Sequence, residues 1–247
     1  MILRLFIIAI VPAISIALAT YLSDKYEKEP ISVLFNTFIF GALSVIPTLF
    51  VERSLSLLNI FPGLLGVLYV SFIVAGLTEE YFKRLVIMKY IYKNRNFNER
   101  LDGIIYCVFS ALGFATIENI VYVVFRFSYN PYVGLYRGIL SVPAHTIFAV
   151  TMGYYISLSK FCNDDRLKEK YLRKSLYMPA ILHGIFDFIL MSKIPIYGLL
   201  FIPYLIYLWK TNQNKLDKYM KESQILHEDT IIPESINDYI DDKDTKI

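Results

Sequence analysis

A run of charges, Thr78-Glu79-Glu80-Tyr81-Phe82-Lys83-Arg84, interrupts a stretch that is apolar on both sides. Three more polar groups interrupt apolar stretches in the same way: Phe114-Ala115-Thr116-Ile117-Glu118-Asn119, Pro143-Ala144-His145 and His183-Gly184-Ile185-Phe186-Asp187. A carboxylate can take a proton from water, and imidazole and amide groups can donate hydrogen bonds to an oxyanion. Those are the parts that hydrolysis of an amide requires. Other chemistries find less support: HExxH, GxSxG and a Gly-rich phosphate loop are absent, and neither cysteine stands at a recognisable spacing from a histidine. Carboxylates with two histidines also suit zinc or iron, but no ligand pair has a diagnostic spacing. No cofactor is therefore expected, and a divalent metal at the cluster is possible but not favoured.

Helical spacing groups these side chains further. Glu79 with Lys83, Glu80 with Arg84, and His183 with Asp187 are i,i+4 pairs on one helix face. Compensated pairs would account for any one of them, and Arg84 reads as a partner of Glu80 or as a side chain snorkelling to the interface. The total is harder to explain. Six charged groups buried in apolar spans ask for an insertion cost of about 15–20 kcal/mol, which apolar spans would avoid. A shared hydrated cavity is the better account, and within it crowded carboxylates can work as acids and bases.

The elements that must position these groups follow from composition and periodicity. The chain has 247 residues, of which 55% are hydrophobic and only 19% charged, with two Cys, 11 Gly and 10 Pro. Disorder, collagen and a disulfide scaffold are excluded together. Runs of about 20 apolar residues are long enough to cross a bilayer as helices. Seven are predicted, at approximately 2–22, 31–51, 62–88, 101–125, 138–159, 175–192 and 194–209, the last two joined by a tight turn at Lys193 and Pro195. The expectation is an all-α polytopic membrane protein, a bundle of about seven transmembrane helices with a buried polar cavity. Counted from one side at 1.5 Å per residue, Glu79 lies roughly 15 Å deep, Glu118 about 27, His145 about 22, His183 about 14 and Asp187 about 20.

Lys and Arg in alternate connections set the orientation. Loops 23–30, 89–100 and 160–174 with the start of the tail hold 16 of them, against Arg4, Arg53, Arg126, Arg137 and Lys193 on the other side. The N-terminus is expected outside and the C-terminus in the cytoplasm. Ala17-Leu18-Ala19 resembles a signal-peptide cleavage site, but cleavage would put the basic loop 23–30 outside, so an uncleaved first span is expected. Residues 211–247 carry nine acidic and five basic side chains and read as a loosely ordered cytoplasmic tail after a domain spanning 1–210. No clustered basic face speaks for nucleic acid. The Ile, Lys, Asn and Tyr richness and the short loops point to a bacterial plasma membrane.

Four motifs in this order resemble those of the PrsW family of intramembrane proteases, relatives of the CAAX-processing and bacteriocin-immunity membrane proteases. Glu79-Glu80-x-x-Lys83 looks like the family's EExxK, Phe114-x-x-x-Glu118-Asn119 like its FxxxEN, His145 like its third-motif histidine, and His183-x-x-x-Asp187 like its last motif. The resemblance implies peptide hydrolysis at or in the membrane by glutamate-activated water, without a serine or cysteine nucleophile. It implies a membrane-anchored protein substrate, at family level an anti-sigma factor cut at the first of two sites. It further implies Glu79 as general base, Glu80 and Lys83 as its partners, and Glu118 positioning water where the CAAX relatives carry a histidine. His183 is then the oxyanion donor, with Asp187 setting its tautomer and with Asn119 and His145 as further donors.

Two other classes compete. A proton-coupled transporter would use the carboxylates and histidines as a relay, though no internal symmetry supports it. A seven-span pigment would need a lysine in its last span, and 194–209 has none.

Overall fold

The computed structural model describes residues 2–244, with side chains at all of these except Pro131 and 229–244. Among the described residues every regular element is helical. Six helices are long and apolar enough to cross a membrane: α1 (Ile2–Ser23), α2 (Ile31–Leu57), α3 (Gly63–Ile91), α4 (Arg100–Arg126), α5 (Tyr132–Lys160) and α6 (Asp165–Ser192). A seventh, α7 (Pro195–Asp244), begins with the expected span 194–209. Its apolar run gives way at Lys210-Thr211-Asn212, short of the roughly 20 residues a span needs.

Helix α7 passes position 210 without a break, whereas the sequence places a boundary there. The polar segment after it is held by docking: Asn212, Tyr219 and Ser223 are buried. Thr151 Oγ1 of α5 donates to Asn212 Oδ1 at 3.2 Å, and Tyr219 Oη donates to the Tyr154 carbonyl at 3.3 Å. Helix α6 also starts earlier than the apolar pattern predicts. The Asp164 carboxylate caps it, accepting from the backbone of Arg166 and Leu167, so the charged turn that follows is helical. It ends where Lys193 takes a left-handed φ of 55° at the expected tight turn.

Helix α4 is the axis of the bundle, buried along nearly its whole length. Small residues let its neighbours approach. A Cβ at Gly113 would lie 1.9 Å from the Phe38 carbonyl oxygen of α2, and one at Gly153 of α5 would lie 2.3 Å from the Gly103 carbonyl oxygen. The same device joins α3 to α6, where Gly76 stands against the backbone of Ala180 and Gly184.

The connections sort to two ends. Asn98 Nδ2 donates to Glu27 at 2.7 Å, Lys160 Nζ to the Tyr92 carbonyl at 2.7 Å, and Arg100 pairs with Glu222 at 3.1 Å. The basic loops and the 219–222 segment of α7 therefore share one end, and α7 runs the height of the bundle to reach it.

That end also holds a cluster of carboxylates. Tyr106 Oη donates to Glu29, and the backbone N–H of Glu29 donates to Asp24 at 3.3 Å. Burial pushes Asp24 up to about 6, against the backbone hydrogen bond from Glu29. Burial likewise lifts Glu29 to about 7, against the hydrogen bond from Tyr106. Because both folded values exceed those of the unfolded chain, the folded state binds more protons between them, and stability falls as pH rises through the folded values. Thermal unfolding in detergent is expected to move to lower temperature between pH 5 and pH 8, and Glu29→Gln to flatten that dependence. A pH-independent midpoint in the parent protein would contradict it.

Candidate active site

The π-helical stretch Val70–Leu77 leads into the α-helical Thr78–Val86, on which Glu79, Glu80 and Lys83 are all buried. Helix geometry puts Lys83 one turn from both glutamates, and its ammonium meets Glu79 Oε2 at 3.1 Å and Glu80 Oε1 at 2.8 Å. It also donates to His145 Nδ1 at 2.9 Å and lies 4.4 Å from the Phe114 ring centroid, a favourable cation–π position. One lysine thus ties α3 to α4 and α5. Arg84 turns the other way, donating to Ser175 Oγ at 2.8 Å and to the Leu172 carbonyl at 3.2 Å. It makes no pair with Glu80, because α6 crosses α3 on that face and supplies its partners.

The close crossing at Gly76 brings His183 beside Glu80. Its Nδ1 lies 3.0 Å from Glu80 Oε1, and its Nε2 lies 3.5 Å from Asp187 Oδ2 and 4.0 Å from Glu79 Oε2. From α4, Glu118 Oε2 meets His145 Nε2 at 2.9 Å. Seven of the eight residues singled out in the sequence therefore converge, from α3, α4, α5 and α6. The eighth, Asn119, does not join them. It points toward α1, where its Nδ2 donates to the Ala9 carbonyl at 3.4 Å, and its Oδ1 accepts from Arg137 Nε at 2.8 Å. Consecutive residues on a helix diverge by about 100°, which turns Asn119 from the cavity wall toward α1, so that it meets the site only through Arg137, the residue it shares with Glu118.

Glu79, Glu118, His145, His183 and Asp187 line a cavity of about 880 Å³. Its wall extends to Arg53, Ser56, Arg126 and Met191, at the ends of α2, α4 and α6 away from the basic loops. Glu80 and Lys83 stand behind this wall. The early start of α6 matters here, since His183 then lies about 27 Å along its helix from the basic end, level with Glu118 in α4.

Of the charged residues in the cavity wall, Glu52, Arg53, Arg126 and Arg137 escaped the sequence reading. Glu52 of α2 falls just past the end of an expected span, and Arg137 falls just before the start of another. Charges at those places read as interfacial. The signal available for Arg137 was its distance of two helical turns from His145.

A family model described as "PrsW family intramembrane metalloprotease" matches residues 29–209. A Clostridioides difficile (strain 630) protein named Protease PrsW is 45% identical over 224 residues, covering 90% of this chain and 94% of its own. Protease PrsW of Bacillus subtilis (strain 168) is 33% identical over 209 residues, covering 85% of this chain and 92% of its own. No solved structure matches the chain.

The family description corrects the expectation that no metal takes part. The donor set fits one: a carboxylate oxygen of Glu79 and one ring nitrogen each of His145 and His183 lie within 4.8 Å of one another, all on buried residues. Two imidazoles and a carboxylate are a set that catalytic zinc accepts. A proton on His183 Nδ1, facing Glu80, leaves Nε2 its lone pair, and a proton on His145 Nε2, facing Glu118, makes Nδ1 the acceptor, a lone pair that here receives the Lys83 ammonium and that an ion would take over from it. Sequence spacing could not reveal this set because its members come from three different helices.

Proposed function

The chain belongs to the PrsW family of intramembrane metalloproteases, and on that premise we propose that it cuts a membrane-anchored anti-sigma factor at the first of two sites, using water activated where Glu79 stands. It is a multi-pass membrane protein and a protease. The observation that carries the reading is the convergence of Glu79, His145 and His183 on one face of a large cavity within the bundle. The cavity extends toward the end opposite the basic loops. By the positive-inside rule that end is outside the bacterial plasma membrane, with the N-terminus outside and the C-terminus cytoplasmic. A cut made there shortens the external part of a single-span substrate, as first-site cleavage requires.

Glu79, His145 and His183 would hold a divalent ion, which when bound acidifies water and polarises a carbonyl. The remaining chemistry belongs to the side chains. Glu80 accepts from His183 Nδ1 and Glu118 from His145 Nε2, which fixes both rings. Lys83 offsets the paired charge of Glu79 and Glu80. With Glu79 engaged in holding the ion, Asp187 is the carboxylate beside His183 that faces the cavity, and it takes the proton from the attacking water. The same acid then returns the proton to the leaving amine. Asn119, turned toward α1, acts through Arg137 and not on the substrate.

The test uses purified protein in lipid with an anti-sigma factor carrying its own membrane anchor. Cleavage is expected on the external side of the span, to cease with 1,10-phenanthroline and to return when zinc is added. Uncut substrate with the ion-loaded protein would overturn the proposal. So would turnover that persists once metal analysis finds no ion.

A further inference from the structure

The charged start of α6 lies outside the cavity and carries its basic residues on one face. Arg166, Lys170, Arg173 and Lys174 are spaced at three and four residues, so they form a single stripe along the helix. Arg166, Lys170 and Arg173 are exposed, and Lys174 is half-buried with its ammonium 5.6 Å from the Tyr155 ring centroid of α5. Arg173 donates to Glu169, a pair open to solvent on both sides and therefore weak. Among the described residues the other three form no ion pair. These side chains, with Tyr177, border a shallow hollow of about 320 Å³.

Two aromatic side chains fix the height of the stripe in the membrane. Below Lys174 the same face continues into exposed Tyr177 and Ile181, the character of a lipid-facing surface. Helices α6 and α7 run antiparallel from their shared turn, so Tyr177 stands about 22 Å from it and exposed Trp209 of α7 about 21 Å. Tyrosine and tryptophan at one level on the outer surface mark the edge of the hydrocarbon layer. Arg173 and Lys174 rise about 5–6 Å above that edge, within a headgroup layer about 5–8 Å thick, and Lys170 lies one turn further out. This is the end that holds the basic loops, so the leaflet is the cytoplasmic one.

We propose that Lys170, Arg173 and Lys174 bind the phosphodiester of an anionic phospholipid, held against α6 in the inner leaflet. The guanidinium fork of Arg173 exchanges Glu169 for two phosphate oxygens, the two ammonium groups add attraction, and the acyl chains run down past Tyr177 and Ile181. A zwitterionic headgroup offers the same phosphate, but its choline cation meets the stripe as a like charge. The site is independent of the chemistry in the cavity.

The experiment titrates the purified full chain in neutral detergent with phosphatidylglycerol, with phosphatidylcholine of the same acyl chains and with inorganic phosphate, counting bound molecules by native mass spectrometry. The parent protein is expected to prefer phosphatidylglycerol over phosphatidylcholine by about tenfold or more. Each basic residue near a membrane surface contributes about fivefold, so Arg173→Gln is expected to weaken phosphatidylglycerol binding by that much. Lys170→Gln, Arg173→Gln and Lys174→Gln combined should bring the preference within about twofold, with the thermal midpoint in detergent unchanged. Lys89→Gln, Lys93→Gln and Arg95→Gln combined remove equal charge from the same end and should leave the preference intact. A parent protein without preference overturns the proposal, as does a control variant that loses it equally, or inorganic phosphate that binds as tightly as the lipid. So does a preference that emerges only once residues 229–247 are removed, since their acidic side chains are then the occupant. Should the combined variant fail to fold, Arg173→Gln decides alone, and binding within twofold of the parent overturns the proposal.

Discussion

Replacing Glu79 by Gln is expected to lower cleavage by about 10³-fold or more, equivalent to roughly 4 kcal/mol of transition-state stabilisation, and to remove bound metal in the same step. The amide is nearly isosteric, so packing around the residue is preserved. What it loses is the charge that, with the imidazoles of His145 and His183, makes a donor set whose atoms lie within 4.8 Å of one another. Asp187→Asn makes the informative contrast. Asp187 stands outside that set, 3.5 Å from His183 Nε2, and its replacement should cost about 10²–10⁴-fold in kcat while the metal stays. Glu79→Gln protein that cleaves at the parental rate, or that retains its ion, would refute the assignment of Glu79.

Lys83→Met should produce the largest loss of stability of any single substitution in the site. The ammonium is 2% exposed and bonds to Glu79, to Glu80, which is 1% exposed, and to His145. Deleting one partner of a buried ionic group leaves the others uncompensated, at a cost of about 3–5 kcal/mol. Methionine fills similar space and keeps contact with Phe114, so the loss reports charge and not a void. The expected observation is a lower thermal midpoint of the metal-free protein in detergent, partly recovered on adding zinc, whose charge compensates the same carboxylates. A midpoint unchanged from the parent would mean that Glu79 and Glu80 need no cation.

These two residues also mark how far the sequence reaches. Glu79, Glu80 and Lys83 are close in the chain, so helical spacing alone places the lysine one turn from both carboxylates, and the structure has it there. The i,i+4 logic did less well for Glu80 and Arg84. Spacing allows that pair, but α6 packs against that face of α3 and offers Ser175 and Leu172 to the arginine. The resemblance makes Asn119 a donor in the site, whereas its amide bonds to α1 and meets the cavity only through Arg137.

What the sequence determined by itself is local and one-dimensional. The lengths of the apolar runs, the basic loops sharing one end, and charges too costly to bury without a purpose all follow from composition read along the chain. The helical all-α bundle and six of its spans were legible for that reason. Tertiary structure decided which faces meet. Glycines at the crossings of α2 with α4, α4 with α5 and α3 with α6 set how closely backbones approach. Those distances bring Glu80 to His183, give Glu79 and two histidines a common centre, and turn Arg137 from an apparent interfacial charge into a cavity wall. No spacing rule carries that information, because a donor set drawn from three helices has its geometry in the packing and not in the chain.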